Sequence, residues 1–327
     1  MAAFWNLGRK EQVATGIHLG VDSVRMVELR RTKDEVRLGA LGYGELPEEI
    51  GPRDLLDTQI RERIAEVIAE TADAYELDME AAVFSACQNT PVLKQMLSGT
   101  MDMEELRSQA RWEVEQALLA PPEEYDIDLF PVGRGSLMAA VRRELTDACV
   151  DLCAQAGVYL AAMDIDALAL YNAGEACQLF VPGELSVLVS VEGGFVSFAA
   201  AYGRSFASGE SIALCEPHLV PASRIGISLV RRIKNIARKW RSTHRGSASG
   251  AEADKIPVQL VVLNGAGTEV PELVSTVESK MGGSVEIGDP FQYQDLEDLS
   301  PEDLKRTERG SMFTVAMGLA YRGLEEL

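Results

Sequence analysis

Gly16-Ile17-His18-Leu19-Gly20-Val21-Asp22-Ser23-Val24-Arg25 is the stretch whose reading decides the fold. Apolar residues lead in from Val13 to Leu19, and Val24-Arg25-Met26-Val27-Glu28-Leu29 alternates on the way out. Two such runs around a short, small and polar stretch spell an antiparallel hairpin with a tight turn. Backbone N–H groups of that turn converge on one spot. Such a nest holds a phosphate when a neighbouring acid supplies magnesium or its water. The functional question is whether that acid is present.

The chain has 327 residues, enough to bury a core in two lobes. A formal net charge of −20 argues against a general nucleic-acid binder and against direct adhesion to an anionic membrane. Five scattered cysteines, Cys87, Cys149, Cys153, Cys177 and Cys215, read as reduced, buried thiols of a cytoplasmic protein. Cys149 and Cys153 have the i,i+4 spacing of a metal pair on a helix, but there is no second pair and no nearby histidine, so they are assigned to the core and no metal site is expected. The most apolar stretch, residues 156–170, is interrupted by Asp164 and Asp166 and is too short to span a bilayer. Phe4, Trp5 and Leu7 lack the apolar length of a signal peptide.

Hydrophobic spacing divides the rest. A third strand over 35–44, a helix over 53–75 and a buried strand over 81–86 complete a first α/β lobe, assigned to residues 1–90. Residues 91–157 read strand, helix, strand, strand, helix, an inserted α+β subdomain whose first helix opens at Asp102 and stops at Pro121-Pro122. A second lobe over 158–310 repeats the opening strand series in 185–191, 195–201 and 204–208, an internal duplication of the fold. A last apolar helix, within 311–327, returns to the first lobe. Residues 221–245 form the most basic stretch, holding Arg224, Arg231, Arg232, Lys234, Arg238, Lys239, Arg241 and Arg245; it reads as an amphipathic helix whose charged outer face is first a solvated face.

An ordered set of motifs gives the chain a family resemblance. The hairpin from Gly16 to Leu29 comes first. Ala110-Arg111-Trp112-Glu113-Val114-Glu115-Gln116 follows, with Pro121, Pro122, Tyr125 and Asp126. Val141-Arg142-Arg143-Glu144 with Gly157, Asp164 and Leu168, then Leu263-Asn264-Gly265-Ala266-Gly267, Pro290-Phe291 and residues 315–322 complete it. In this order they resemble the PilM family of actin-like proteins of type IV pilus assembly, itself similar to the FtsA cell-division proteins. The resemblance implies an α/β, ribonuclease H-like duplicated fold. It also implies a vestigial nucleotide site at Gly20, Val21, Asp22, Ser23, Arg25, Gly193, Gly194, Gly265, Ala266 and Gly267.

The departures decide the functional reading. His18 stands where the actin-like ATPases have the aspartate of the first phosphate motif, and Ser190 replaces the second. Glu192 replaces a glycine and is expected to face the phosphates, where two like charges a few Å apart repel by roughly 4 kcal/mol at an effective dielectric near 20. Arg25 replaces the usual lysine, and Asp22 lies in the turn rather than on the strand. The subdomain that clamps the base in the family is shortened to residues 211–220. No catalytic residue is expected, and neither ATP nor magnesium.

The resemblance then implies a scaffold. It would bind the N-terminal peptide of a PilN-like bitopic inner-membrane protein in a channel between the first lobe and the inserted subdomain, at Arg111, Trp112, Glu115, Leu118 and Leu119. Trp112 is read either as an interface anchor or as core. The membrane is reached only through that partner, no nucleic acid is bound, and a homo-oligomer is left open. The alternative is an ATP-binding, filament-forming ATPase of the same family. A separate enzyme has no nucleophile–base or metal constellation behind it; His18, His218 and His244 are far apart, and His18 with Asp22 would only mimic a dyad.

Overall fold

A computed structural model describes residues 11–33, 35–51, 53–96, 102–118, 120–132, 135–214, 220–244, 258–296 and 299–326. The hairpin is β1 (Gln12–Leu19) and β2 (Ser23–Arg31), antiparallel, with His18 opposite Arg25 and Leu19 opposite Val24. β3 (Val36–Glu45) extends it beyond β2, while β4 (Ala82–Ala86) and β8 (Leu160–Met163) add in parallel on the other side. The sheet order is β3-β2-β1-β4-β8. Every residue of β4 is buried, as a parallel strand covered on both faces requires.

A second sheet repeats the plan. β9 (Leu185–Glu192), β10 (Phe195–Tyr202) and β11 (Ser205–Ala213) form its antiparallel part, and β12 (Val258–Asn264) and β13 (Ser284–Ile287) its parallel part, in the order β11-β10-β9-β12-β13. His18 faces Ser85 across β1–β4, and Ser190 faces Asn264 across β9–β12. Ser190 therefore holds in the second lobe the place of His18 in the first, and Glu192 the place of Gly20.

Helices fill three layers around the two sheets. α1 (Thr58–Ala74), capped by the Asp57 carboxylate on the Gln59 and Ile60 N–H groups, and α3 (Arg143–Gln155) cover the outer face of the first sheet. There Ile64, Ile68 and Leu152 meet Ile17, Met26 and Phe84. α4 (Asp166–Ala176) and α8 (Thr314–Glu326) lie between the sheets. At their crossing a Cβ on Gly318 would stand 1.8 Å from the Ala169 carbonyl oxygen, so only glycine lets the backbones meet. α5 (Ala222–His244) and α6 (Pro271–Met281) cover the far side, burying Leu229, Ile233 and Val277 on Val189 and Phe198.

The inserted part is a three-stranded sheet, ordered β5-β7-β6, from β5 (Val92–Met96), β6 (Tyr125–Val132) and β7 (Gly135–Arg142). Across it lies α2 (Met103–Leu118), with Leu106, Ala110 and Val114 packed on Met138 and Ala140. The Asp102 carboxylate accepts the Glu104 and Glu105 N–H groups, as its reading as the N-cap requires.

Two expectations are corrected. The strand expected to end at Ser208 runs to Ala213, because its backbone stays paired with β10 as far as Phe195 opposite Ala213. A short helix, α7 (Pro301–Thr307), was not anticipated; Ser300 caps it at the Asp303 N–H. Cys87, Cys149, Cys153 and Cys177 are buried and unbridged. Burial pushes the thiol pKa of Cys149 up to about 11 and those of Cys153 and Cys177 to about 12. Cys215, His218, Arg245, Phe4, Trp5 and Leu7 lie outside the described residues. Among the described residues no helix is long and apolar enough to cross a membrane, and no cluster of histidine, cysteine and carboxylate side chains is placed to hold a metal ion.

Candidate functional site

The two hairpin turns meet between the lobes, and an ion pair lies beneath them. Arg25 on β2 points back under its own turn. Its Nη2 donates to Ser23 Oγ at 2.9 Å and more weakly to Asp22 Oδ1 at 3.5 Å, and its Nη1 lies 2.7 Å from Glu192 Oε2 at the end of β9. Arg25 is fully buried and Glu192 nearly so. Burial disfavours the guanidinium charge, but Glu192 and Asp22 outweigh it and hold the Arg25 pKa above its ordinary value. The contact is an ion pair set off the N–H axis, so that Arg25 Nε and Nη1 and both Glu192 carboxylate oxygens make no hydrogen bond among the described residues.

This pairing corrects the expectation of a carboxylate aimed at phosphates: the counter-charge to Glu192 is built into the protein. The Val21 side chain also rests on the β9–β10 turn, 3.2 Å from where a Cβ of Gly193 would be. The third loop closes over the same point. Gly265, at φ 80°, sits where a Cβ would be 2.4 Å from Glu192 Oε1, and its N–H donates to the Ser311 carbonyl.

The sequence-selected residues thus gather in one place but in two layers. Val21, Asp22, Gly193, Gly194, Ala266 and Gly267 line an inter-lobe cleft of about 490 Å³. Arg25, Ser23 and Gly20 lie buried behind its wall, and Gly265 beneath it. Ile50, Val191, Phe195, Ile225, Val270 and Leu273 make the rest of the lining largely apolar. Among the described residues Asp22 and Glu49 are its charged lining, and no lysine or arginine lines it. Among the described residues this lining does not fit a nucleotide triphosphate: no cation faces the cleft, and the nearby Arg25 is already paired with Glu192. Sequence reasoning missed Ile50 and Glu49, which the Ile50 N–H bond to the Val21 carbonyl brings to the cleft. Nothing in their spacing signals this.

His18 is not paired with Asp22. Its Nε2 lies 3.2 Å from Asp166 Oδ2, while Ser85 Oγ donates to Asp166 Oδ1 at 2.8 Å. The carboxylate stands between the hydroxyl and the imidazole, and all three residues are buried. The serine meets the carboxylate rather than the imidazole, and the trio ties β1 and β4 to the N-terminus of α4. His18 has become a core residue.

A second concavity, of about 900 Å³, lies between α2 and β6. Met103, Arg107 and Arg111 line it from the helix, and Tyr125, Asp126, Ile127, Asp128 and Leu129 from the strand. Arg143 of α3 closes one end, its Nε donating to Asp126 Oδ1 at 3.0 Å and its Nη2 to the Tyr125 carbonyl at 3.3 Å. Among the described residues β6 pairs with β7 alone, which puts it at the edge of the sheet. The groove lies chiefly inside the inserted subdomain, between its own helix and strand.

Of the partner residues selected from sequence, Arg111 lines this groove. Trp112 and Glu115 are exposed on the neighbouring flank of α2. Trp112 keeps 56 % of its surface in solvent, so its core reading is overturned. Leu118 packs on the subdomain's own core, and Leu119 lies outside the described residues. Arg107, Asp128 and Arg143 were missed. The alternation of β6, with Asp126 and Asp128 between Tyr125, Ile127 and Leu129, was the available signal.

Comparison with known proteins places this architecture. A solved structure described as the PilM-PilN type IV pilus biogenesis complex is similar over 95 % of this chain and 98 % of its own, with 20 % identity and a TM-score of 0.72. A protein of Bacteroides thetaiotaomicron described as having an actin-like ATPase fold and unknown function is similar over 88 % of this chain and 94 % of its own, with 10 % identity and a TM-score of 0.52. The fold is actin-like, as the duplicated hairpins implied. No curated protein sequence matches the chain. The sequence family described as "Type IV pilus assembly protein PilM" matches residues 16–190, more than half of the chain. The chain belongs to the PilM family of type IV pilus assembly proteins.

Proposed function

We propose that the chain is a non-hydrolysing adaptor, cytoplasmic and peripheral to the inner membrane, in a type IV pilus or related assembly. Its partner in this reading is a PilN-like bitopic membrane protein whose N-terminal peptide lies along the α2–β6 groove. The buried Arg25–Glu192 pair supports the absence of nucleotide chemistry: behind the cleft wall, it already commits to Glu192 the arginine nearest the two turns. The similarity to a PilM-PilN complex supports the partner class. The groove supports the mode, since an extended segment can pair with the edge strand β6 while Arg107, Arg111 and Asp128 take its polar groups.

Calorimetry of the purified chain with ATP and magnesium tests the first half; no binding heat is expected, and a micromolar dissociation constant would overturn it. Titration with a synthetic N-terminal peptide of a PilN-like protein tests the second, and Arg111→Glu should weaken that binding about tenfold. The competing reading, an ATP-regulated filament former, draws on the persistence of a cleft of about 490 Å³. The calorimetric result separates the two.

A further inference from the structure

The outer face of α5 collects cations on a chain whose net charge is −20. Arg224, Ile227, Arg231, Lys234 and Arg238 recur at intervals of three and four residues, forming one stripe, and all five are exposed. The opposite face fixes this orientation, with Leu229, Ile233, Ile236 and Trp240 buried and Trp240 stacked on Tyr202 at 4.9 Å. Lys280, in the last turn of α6, joins the stripe where Lys234 Nζ donates to its carbonyl at 2.9 Å.

These residues surround a hollow rather than a ridge. Ile227, Val230, Arg231, Lys234, Arg238 and Lys280 line a trough of about 460 Å³ between α5 and α6. Ile227 is 44 % exposed, so the trough has an apolar floor within a cationic rim. A further hollow of about 350 Å³ opens beyond Arg238; its carboxylate, Glu210, is already bonded to Arg232. Among the described residues no carboxylate pairs with Arg231, Arg238 or Lys280. Like charges three and four residues apart repel along a helix, and an anionic occupant would offset that repulsion.

We propose that this trough docks an acidic segment of a partner protein. Its carboxylates would reach Arg231, Arg238 and Lys280, and one apolar side chain would rest on Ile227 and Val230. Concavity favours a peptide over a bilayer: a lipid surface is flat on this scale and meets the rim without filling the floor. The inference is independent of what occupies the α2–β6 groove.

The test uses the full chain and a fluorescent synthetic peptide of about ten residues, glutamates interspersed with leucines, read by anisotropy. The chain should bind this peptide and not its glutamine counterpart, and binding should fall as salt rises from roughly 50 to 300 mM. Arg231→Glu with Arg238→Glu should weaken it about tenfold or more, and Ile227→Ser about threefold, at unchanged melting temperature. Arg231→Gln with Arg238→Gln serves if the reversal disturbs the melt. The control reverses Arg53 and Arg63 on the first lobe and should leave binding intact. No binding, equal loss in that control, or indifference to the α5 changes would overturn the proposal. So would tighter binding to phosphatidylglycerol vesicles than to the peptide, lost in the same variant, because it would assign the stripe to a membrane.

Discussion

Arg25 Nη1 lies 2.7 Å from Glu192 Oε2 and joins the opening hairpin of one lobe to that of the other, out of contact with water. Two charges taken out of solvent are costly individually and tolerable only together. The pair therefore acts as an internal bridge between lobes, at the point where the duplicated turns converge.

Removing one partner should be far worse than removing both. Glu192→Ala should lower unfolding stability by about 3–5 kcal/mol, leaving a buried guanidinium unpaired. Arg25→Met with Glu192→Leu should recover most of that loss, since the site becomes apolar with similar volume. Urea denaturation of the single and double variants gives the comparison. A Glu192→Ala cost below about 1 kcal/mol would mean that the lobes are not held here.

Asp164, part-buried beside the start of α4, sets a pH dependence. Burial pushes its pKa up from 3.8 to about 6, against the Ile165 N–H bond and Arg322, and with help from Asp166 and Glu326. The folded chain thus holds this proton more tightly than the unfolded chain. The group's stabilising contribution is complete below about pH 4 and is lost as pH rises through about 6. Partial exposure reduces the effect to about 1–2 kcal/mol. Asp164→Asn should be the more stable protein at pH 7 by that amount and should converge with the wild type near pH 4. A difference in urea midpoint that stays flat across this window would contradict the argument.

How much of this was legible depends on range. The hairpin Gly16 to Leu29, its echo at 185–201 and the helix carrying Ile233 and Trp240 are local patterns, and period alone reveals them. The meeting of Arg25 with Glu192 is not local. Sequence reasoning expected Glu192 to face the cleft, whereas it lies buried against Arg25, because only tertiary packing decides which side of a turn an arginine occupies. Trp112 failed differently. On α2, Leu106, Ala110 and Val114 already form a complete apolar stripe, so Trp112 falls outside it. Counting that stripe would have exposed the tryptophan. α7 is short and mostly polar, which leaves no periodicity to read.

The crossing of α4 and α8 should be intolerant of any side chain. A Cβ on Gly318 would overlap the Ala169 carbonyl, which is backbone and cannot rotate away. Gly318→Ala should cost about 3 kcal/mol, despite alanine's better helix propensity, because the helices must separate in the central layer. Gly157→Ala, with nothing within 4 Å of the added atom but φ at 72°, isolates the backbone term for comparison. A smaller cost in thermal melting for Gly318→Ala than for Gly157→Ala would refute close helix approach as the reason for that glycine.

Trp112 separates the two roles that α2 could have. Its side chain is 56 % exposed, so Trp112→Ala should change unfolding stability by no more than about 0.5–1 kcal/mol. As an anchor beside the α2–β6 groove it should nonetheless weaken capture of a PilN-like N-terminal peptide by about tenfold, the usual cost of truncating an aromatic hot spot. Val114→Ala, on the buried face of the same helix, should do the reverse, destabilising the inserted subdomain by about 2 kcal/mol through the cavity it leaves. Parallel urea melts and peptide titrations of the two variants give a two-by-two result. If Trp112→Ala binds the peptide as the wild type does while remaining folded, the anchor must lie on the groove-lining flank with Arg107 and Arg111 instead.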